Sequence, residues 1–249
     1  MNSIFNLKKI VLFGAVIVTA LGFHSCLDDD NDSYSKLFPN ALVTTKTATD
    51  NTFFLQLDDS TTLLPINMDK SPYGDKEVRA LVNYDVVKDP SGPYSKSVHV
   101  NWIDSILTKT IAPDLGEEND KVYGTDPVEM VADWITIAED DYLTLRFRTL
   151  WDRYSEPHFV NLLLGNNPDN PYEVEFRHNA HGDVDGRWGD GLVAFRLDQL
   201  PDTEGETVKL TLKWKSFSGD KSAEFDYCTR KSTAGGEEAA MVRNQLNIQ

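Results

Sequence analysis

The string His178-Asn179-Ala180-His181-Gly182-Asp183-Val184-Asp185-Gly186 carries the densest chemistry in this chain. Two imidazoles and two carboxylates, His178, His181, Asp183 and Asp185, are donor types that hold a divalent cation or support metal-assisted hydrolysis. Charge argues the other way, because Arg177 and Arg187 flank the donors. So does spacing. Asp183 and Asp185 open like a calcium loop, but Arg187 takes the next alternate position and Trp188 replaces the required glycine. The same residues also read as a connection between two strands, rich in Gly182, Gly186, Gly189 and Gly191.

Aromatic residues offer a second chemistry. Trp188 lies in this Gly-rich loop, where a core role is less natural, and with Tyr154 it is a candidate for stacking on a ligand such as a sugar ring. Trp102, Trp151 and Trp214 alternate with core positions and read as packing residues. No G-x-S-x-G, H-E-x-x-H, P-loop or G-x-G-x-x-G occurs. The expectation is therefore a non-enzyme that needs no cofactor. A metal-dependent hydrolase built on His178, His181, Asp183 and Asp185 is the competing reading.

The elements that must position these residues are strands. Alternation of apolar and polar residues, the period of a half-buried strand, dominates both halves. Ala41–Thr47, Thr52–Leu57, Thr61–Ile66, Glu77–Val87 and Ser95–Ile106 give five strands. Five short strands in this length suit a small barrel, which closes its own edges. Ile111–Lys121 breaks the pattern with Pro113, Gly116 and four acids, and reads as a linker. Beyond it, Tyr142–Trp151, His158–Leu164, Tyr172–His178, Val193–Leu197 and Val208–Lys215 fit a β-sandwich. The expected fold is all-β, with a barrel domain over 38–112, a linker over 113–125, a sandwich over 126–230 and a flexible tail over 231–249.

Composition supports a folded, non-nucleic-acid-binding chain. Of 249 residues, 24 are Lys or Arg and 40 are Asp or Glu, for a net charge of −16. That field repels phosphate backbones, so nucleic acid is excluded as a partner. Twelve Phe, 9 Tyr and 5 Trp are enough to fill a core.

The first residues read as an address. Lys8 and Lys9 precede Ile10–Leu21, an apolar stretch too short for a permanent span. Gly22-Phe23-His24-Ser25-Cys26 then reads as a lipobox, with cleavage between Ser25 and Cys26 and acylation of Cys26. Residues 1–25 are thus a lipoprotein signal peptide and 26–37 an acidic tether. The membrane is a partner through the lipid anchor, since two or more acyl chains anchor a protein stably. Asp28-Asp29-Asp30-Asn31-Asp32 resembles the run that sends such lipoproteins to the outer face of the outer membrane. With Cys26 acylated, Cys228 has no partner for an intramolecular disulfide, and it reads as an inert buried thiol.

Taken in order, these features resemble the NigD-like lipoprotein family of Bacteroidota. The matching strings are Trp134-Ile135 ahead of Tyr142-Leu143-Thr144-Leu145, then Val174-Glu175-Phe176-Arg177-His178-Asn179. Val193-Ala194-Phe195-Arg196-Leu197 before Leu200, and the closing Lys209-Leu210-Thr211-Leu212-Lys213-Trp214, complete them. The resemblance implies a barrel of the oligonucleotide/oligosaccharide-binding (OB) type followed by a β-sandwich. It brings an association with bacteriocin loci and no catalytic residues. The functional expectation is an outer-membrane lipoprotein that binds an envelope protein or a glycan, with bacteriocin immunity as the alternative.

Overall fold

The computed structural model describes residues 34–152, 157–230 and 247–248. The signal 1–25, Cys26 and Tyr154 lie outside those residues. Both β domains fall within one compact unit, Lys36–Gln249.

Five strands, β1 (Ala41–Thr47), β2 (Phe53–Gln56), β3 (Thr62–Pro65), β4 (Arg79–Val87) and β5 (Lys96–Ser105), close into a barrel in the order β1-β2-β3-β5-β4. Only β3 and β5 run parallel. Alternation fixes which residues point inward: Val43, Leu55, Leu63, Ala80, Val82 and Val98 fill the interior and are fully buried. A bulge between Asn83 and Tyr84 shifts the β4–β5 register, which bends the wall.

The second half packs two sheets face to face. One contains β6 (Leu107–Thr110), β12 (Arg187–Arg196), β9 (Tyr142–Trp151) and β7 (Glu129–Met130), with β8 (Ile137–Glu139) also on β9. The other runs β10 (Phe159–Leu164), β11 (Glu173–Asn179), β13 (Val208–Ser216), β14 (Gly219–Tyr227) and the short β15 (Asn247–Ile248). Leu145, Phe147, Phe176, Phe195, Leu212 and Trp214 meet between them. The fold is therefore an OB-type barrel followed by a β-sandwich.

The sequence reading is corrected in several places, among them Trp188, Gly189 and Gly191, read in a loop and found within β12. Leu107–Thr110, kept with the barrel by the boundary at 112, instead pairs parallel with β12 in the sandwich, Val193 facing Leu107. A parallel partner lies far away in sequence, so no local turn signal marks it. The segment read as a linker is folded: a 3-10 turn (Gly116–Glu118) leads into α1 (Asn119–Tyr123). Tyr123 is buried and donates to the Pro113 carbonyl at 2.8 Å. Gly124 ends α1 with φ +78° where a Cβ would stand 2.4 Å from the His178 carbonyl oxygen, so a side chain there is excluded.

The outer wall of β1 and β4 is covered by the sandwich, and the seam is polar at its centre. Arg79 is wholly buried and donates to Glu139 at 2.6 Å, Thr44 at 2.9 Å and Thr144 at 3.3 Å. Beside it the Tyr142 ring, also wholly buried, faces Arg79, Arg196 and Arg230 at 5.9, 5.4 and 5.8 Å. Its hydroxyl donates to Glu77 at 2.8 Å, and Glu77 also accepts from Arg230. Lys46 closes the seam on Asp140 at 2.7 Å.

Candidate functional site

The far end of the sandwich presents the opposite picture. The antiparallel register of β9 and β12 places Trp188 opposite Leu150 and Asp190 opposite Arg148 on the sheet's outer face. Arg187, opposite Trp151, and Gly189, opposite Thr149, alternate onto the other face. Gly189 leaves room for Trp151, since a Cβ there would stand 1.9 Å from the indole Nε1. The Arg187 guanidinium lies 5.4 Å over the Trp151 ring. Trp151, expected in the core, is instead partly exposed at this rim.

Trp188 is 53% exposed and meets Phe217 edge-on at 5.0 Å. Phe217 sits in the two-residue turn joining β13 to β14, where a large side chain has no sheet face to pack against, and it is 43% exposed. Val184 is exposed as well. Two aromatics held together in water, with charged groups around them, form the kind of surface that interaction sites use.

The charged groups are Arg146, Arg148 and Asp190. Asp190 accepts from Arg146 at 2.5 and 2.9 Å and from Arg148 at 2.5 and 3.1 Å. Hydrogen bonds from Arg148, followed by those from Arg146, pull its carboxyl down to about 2. Arg146 also reaches Asp133 at 2.8 Å. The cluster is internally neutralised on one side, while Arg148 stays half-exposed.

Phe217 borders a small solvent-open hollow also lined by Asp126, Pro127, Thr149, Leu150 and Val184, with His178 and Asp183. His178 is buried and its Nε2 lies 2.9 Å from His158 Nδ1. His158 Nε2 lies 3.1 Å from Asp183 Oδ2. Asp183 also accepts from the Asp152 amide at 2.9 and 3.0 Å. Asp126 joins the hollow to β11, its amide donating to the His178 carbonyl at 3.0 Å and its side chain accepting from Ala180 N at 2.7 Å.

The four sequence-level metal donors do not converge. His178 and Asp183 are joined only through His158. His181, at φ +52°, turns its ring edge-on to Phe159 at 4.7 Å. Asp185 is exposed. Among the described residues no group of three or more His, Cys, Asp or Glu is placed to hold a metal ion. Trp188 stands where a ligand could reach it, whereas Tyr154 and Cys26 fall outside the described residues.

Sequence reasoning passed over His158 and Phe217, and both left a signal. Folding the β10–β11 hairpin about the Asn166–Pro171 turn cluster sets Val160 opposite His178, so His158 arrives within reach of that ring. A Phe inside the Ser216-Phe217-Ser218-Gly219 turn is exposed by necessity.

A closed five-stranded barrel of OB topology whose wall docks on a β-sandwich defines a two-domain, all-β class. Residues 42–106 match the NigD-like N-terminal OB domain and residues 110–227 the NigD-like C-terminal beta sandwich domain. The chain belongs to the NigD-like family.

Solved structures agree with this assignment. A protein from Parabacteroides distasonis labelled toxin-related is 38% identical, with 76% of this chain and 92% of that one covered and a TM-score of 0.63. A Bacteroides vulgatus protein of unknown function shares the fold at 21% identity, 80% and 94% coverage and a TM-score of 0.61. So does a NigD-like immunity protein from Bacteroides caccae, at 19% identity, 71% and 86% coverage and a TM-score of 0.53. No curated protein matches the chain.

Proposed function

We propose that this NigD-like protein is an envelope lipoprotein, acylated on Cys26 and exposed on the outer membrane, that binds a glycan or an envelope protein without catalysis. The observation that carries the binding reading is the exposed Trp188–Phe217 pair above the hollow at the sandwich end. An exposed indole beside a half-exposed guanidinium is the chemistry that stacks on a sugar ring or a planar side chain. Lys8 and Lys9, the short apolar segment Ile10–Leu21 and the position of Cys26 support the anchor, and the acidic run after Cys26 supports surface exposure.

The binding reading is tested on a glycan array and against isolated envelope proteins, using the wild-type chain and Trp188→Ala. The expected result is a wild-type signal that weakens tenfold or more on substitution, the scale of a buried aromatic anchor. No signal for the wild type on either, or an unchanged signal for the variant, overturns it. The anchor is tested separately: radiolabelled palmitate enters the wild type and not Cys26→Ala.

A second reading, an accessory role in bacteriocin immunity, is favoured by the 38% identity to the Parabacteroides protein labelled toxin-related. A deletion strain that gains sensitivity to a bacteriocin of its neighbours would support it, and unchanged sensitivity would remove it.

A further inference from the structure

The sheet face around Trp188 holds a set of hydrogen-bonding groups that selects among ligands. Register and alternation put six side chains on it: Arg146, Arg148 and Leu150 from β9, and Trp188, Asp190 and Leu192 from β12. Of these six, Asp190 alone is an acceptor, and it is occupied. Its Oδ2 accepts from Arg146 Nε at 2.9 Å, Arg146 Nη2 at 2.5 Å and Arg148 Nη2 at 3.1 Å, and its Oδ1 accepts from Arg148 Nε at 2.5 Å. Four N–H groups are as many as a carboxylate's lone pairs take. Arg146 is committed as well, because its Nη1 donates to Asp133 at 2.8 Å. Asp133 also accepts from the Ile135 and Thr136 amides on its other oxygen.

What remains is donors. Arg148 keeps Nη1, which meets no acceptor among the described residues, on a half-exposed side chain. Trp188 keeps its indole N–H, also without an acceptor among the described residues, on a ring half in water. The two are diagonal neighbours, since Trp188 faces Leu150 and Arg148 faces Asp190. Such neighbours stand about 7–8 Å apart, within reach of long side chains.

A neutral sugar presents hydroxyls that both donate and accept, and it is held best where both kinds of partner are offered. This face offers an apolar ring and two donors, one of them charged, with no acceptor to spare. Those groups fit a ring with an apolar C–H face and a carboxylate beside it. An acidic peptide shares the carboxylate but carries it on a flexible stem, which leaves the indole uncovered.

We propose that the Trp188 face takes an acidic glycan, a chain of pyranose units bearing carboxylates, with one ring stacked on the indole and a carboxylate of that unit or its neighbour received by Arg148 Nη1. This rests on the binding reading of the Trp188–Phe217 pair and narrows it to one ligand chemistry. The net charge of −16 repels an anion at a distance. At physiological ionic strength that field is screened beyond about 8 Å, so the groups in contact decide.

Titration calorimetry on the full chain tests this with three probes: a panel of oligouronates built on galacturonate, mannuronate and glucuronate, the same oligosaccharides with their carboxyls reduced to alcohols, and polyglutamate. At least one oligouronate should bind, and its reduced form should bind about tenfold more weakly, the scale of one hydrogen bond to a charged group. Arg148→Gln should lower the oligouronate to the level of its reduced form and leave the reduced form unchanged. Trp188→Ala should weaken both. Asp190→Asn removes the carboxylate that competes for Arg148 and should tighten the oligouronate, a gain that damage to the fold does not produce. A reduced form that binds as tightly as its parent overturns the acidic assignment and leaves the broader binding reading standing. Polyglutamate binding as tightly, with Trp188→Ala without effect, overturns the glycan in favour of an acidic peptide. No binding of any oligouronate by the wild type overturns the proposal, while a wild-type signal on the glycan array or with envelope proteins would still uphold the reading beneath it.

Discussion

Strands β9 and β12 run side by side for their whole length, yet their two ends do opposite things. At one end Tyr142 and Arg196 are paired and covered by the barrel; at the other Leu150 and Trp188 are paired and nothing among the described residues covers them. Tyr142 has three guanidinia around its ring and a carboxylate on its hydroxyl, so every polar contact it can make is made within the chain. Trp188 has one aromatic neighbour and open solvent. Both are aromatics near Arg and acid residues on the outer face of the same sheet. What separates a packing residue from a binding candidate here is whether a second domain has already used its surface.

The comparison is broken most directly at Arg79. Arg79→Met keeps volume but leaves the partly buried Glu139 without its partner and removes a wholly buried charge, at an expected cost of about 3 kcal/mol in urea unfolding at neutral pH. Burial already pushes Glu139 up despite Arg79. Protonation of Glu139 at lower pH should therefore recover part of the loss, and the double variant Arg79→Met/Glu139→Gln should recover more. A cost below about 1 kcal/mol would mean that the seam is held by Leu42, Ile106 and Ala194 rather than by its charges.

The two ends should also answer pH with opposite sign. Asp190 sits at about 2, below the ordinary 3.8, so its ion pairs stabilise the fold above roughly pH 4 and are lost as pH falls from there through 2. Asp59, exposed at the edge of the seam, is pushed up by desolvation and by Asp140, Asp58 and Asp141, although the Asp140 amide opposes this. Its ionised form is disfavoured in the fold, so stability rises as pH falls through its raised value toward the ordinary 3.8. Melting temperature against pH for Asp190→Asn and Asp59→Asn sharpens the contrast. The first should flatten the acid loss, and the second should remove a gain that comes at higher pH. Curves that superimpose on the wild type would show that neither end is electrostatically distinct.

Much of this architecture was legible in the alternation. The hairpins of the barrel and the Val208–Ser216 strand follow from period-two patterning, which needs only local sequence. Arg79 shows the limit. Alternation along β4 puts it on the outer face, but an outer face is a solvent face only when no other domain lies on it. The parallel partnership of β6 with β12 spans most of the sandwich in sequence and leaves no local mark. At the candidate site Trp188 was readable because a large aromatic among glycines lacks a packing role. The His158–His178 pair was not, because it depends on the hairpin register.

The smallest expected effect is the most diagnostic. Trp188→Ala removes a side chain already half in water with one edge-on neighbour, so its cost to stability should be about 0.5–1 kcal/mol. Tyr142→Ala, which empties a filled and fully hydrogen-bonded position, should cost about 3–5 kcal/mol by the same measurement. A residue that contributes little to the fold and is nonetheless large, apolar and exposed requires another explanation, and ligand contact supplies one. Should Trp188→Ala prove as costly as Tyr142→Ala, the indole is packing the sandwich end, and the asymmetry between the two ends of β9 and β12 disappears.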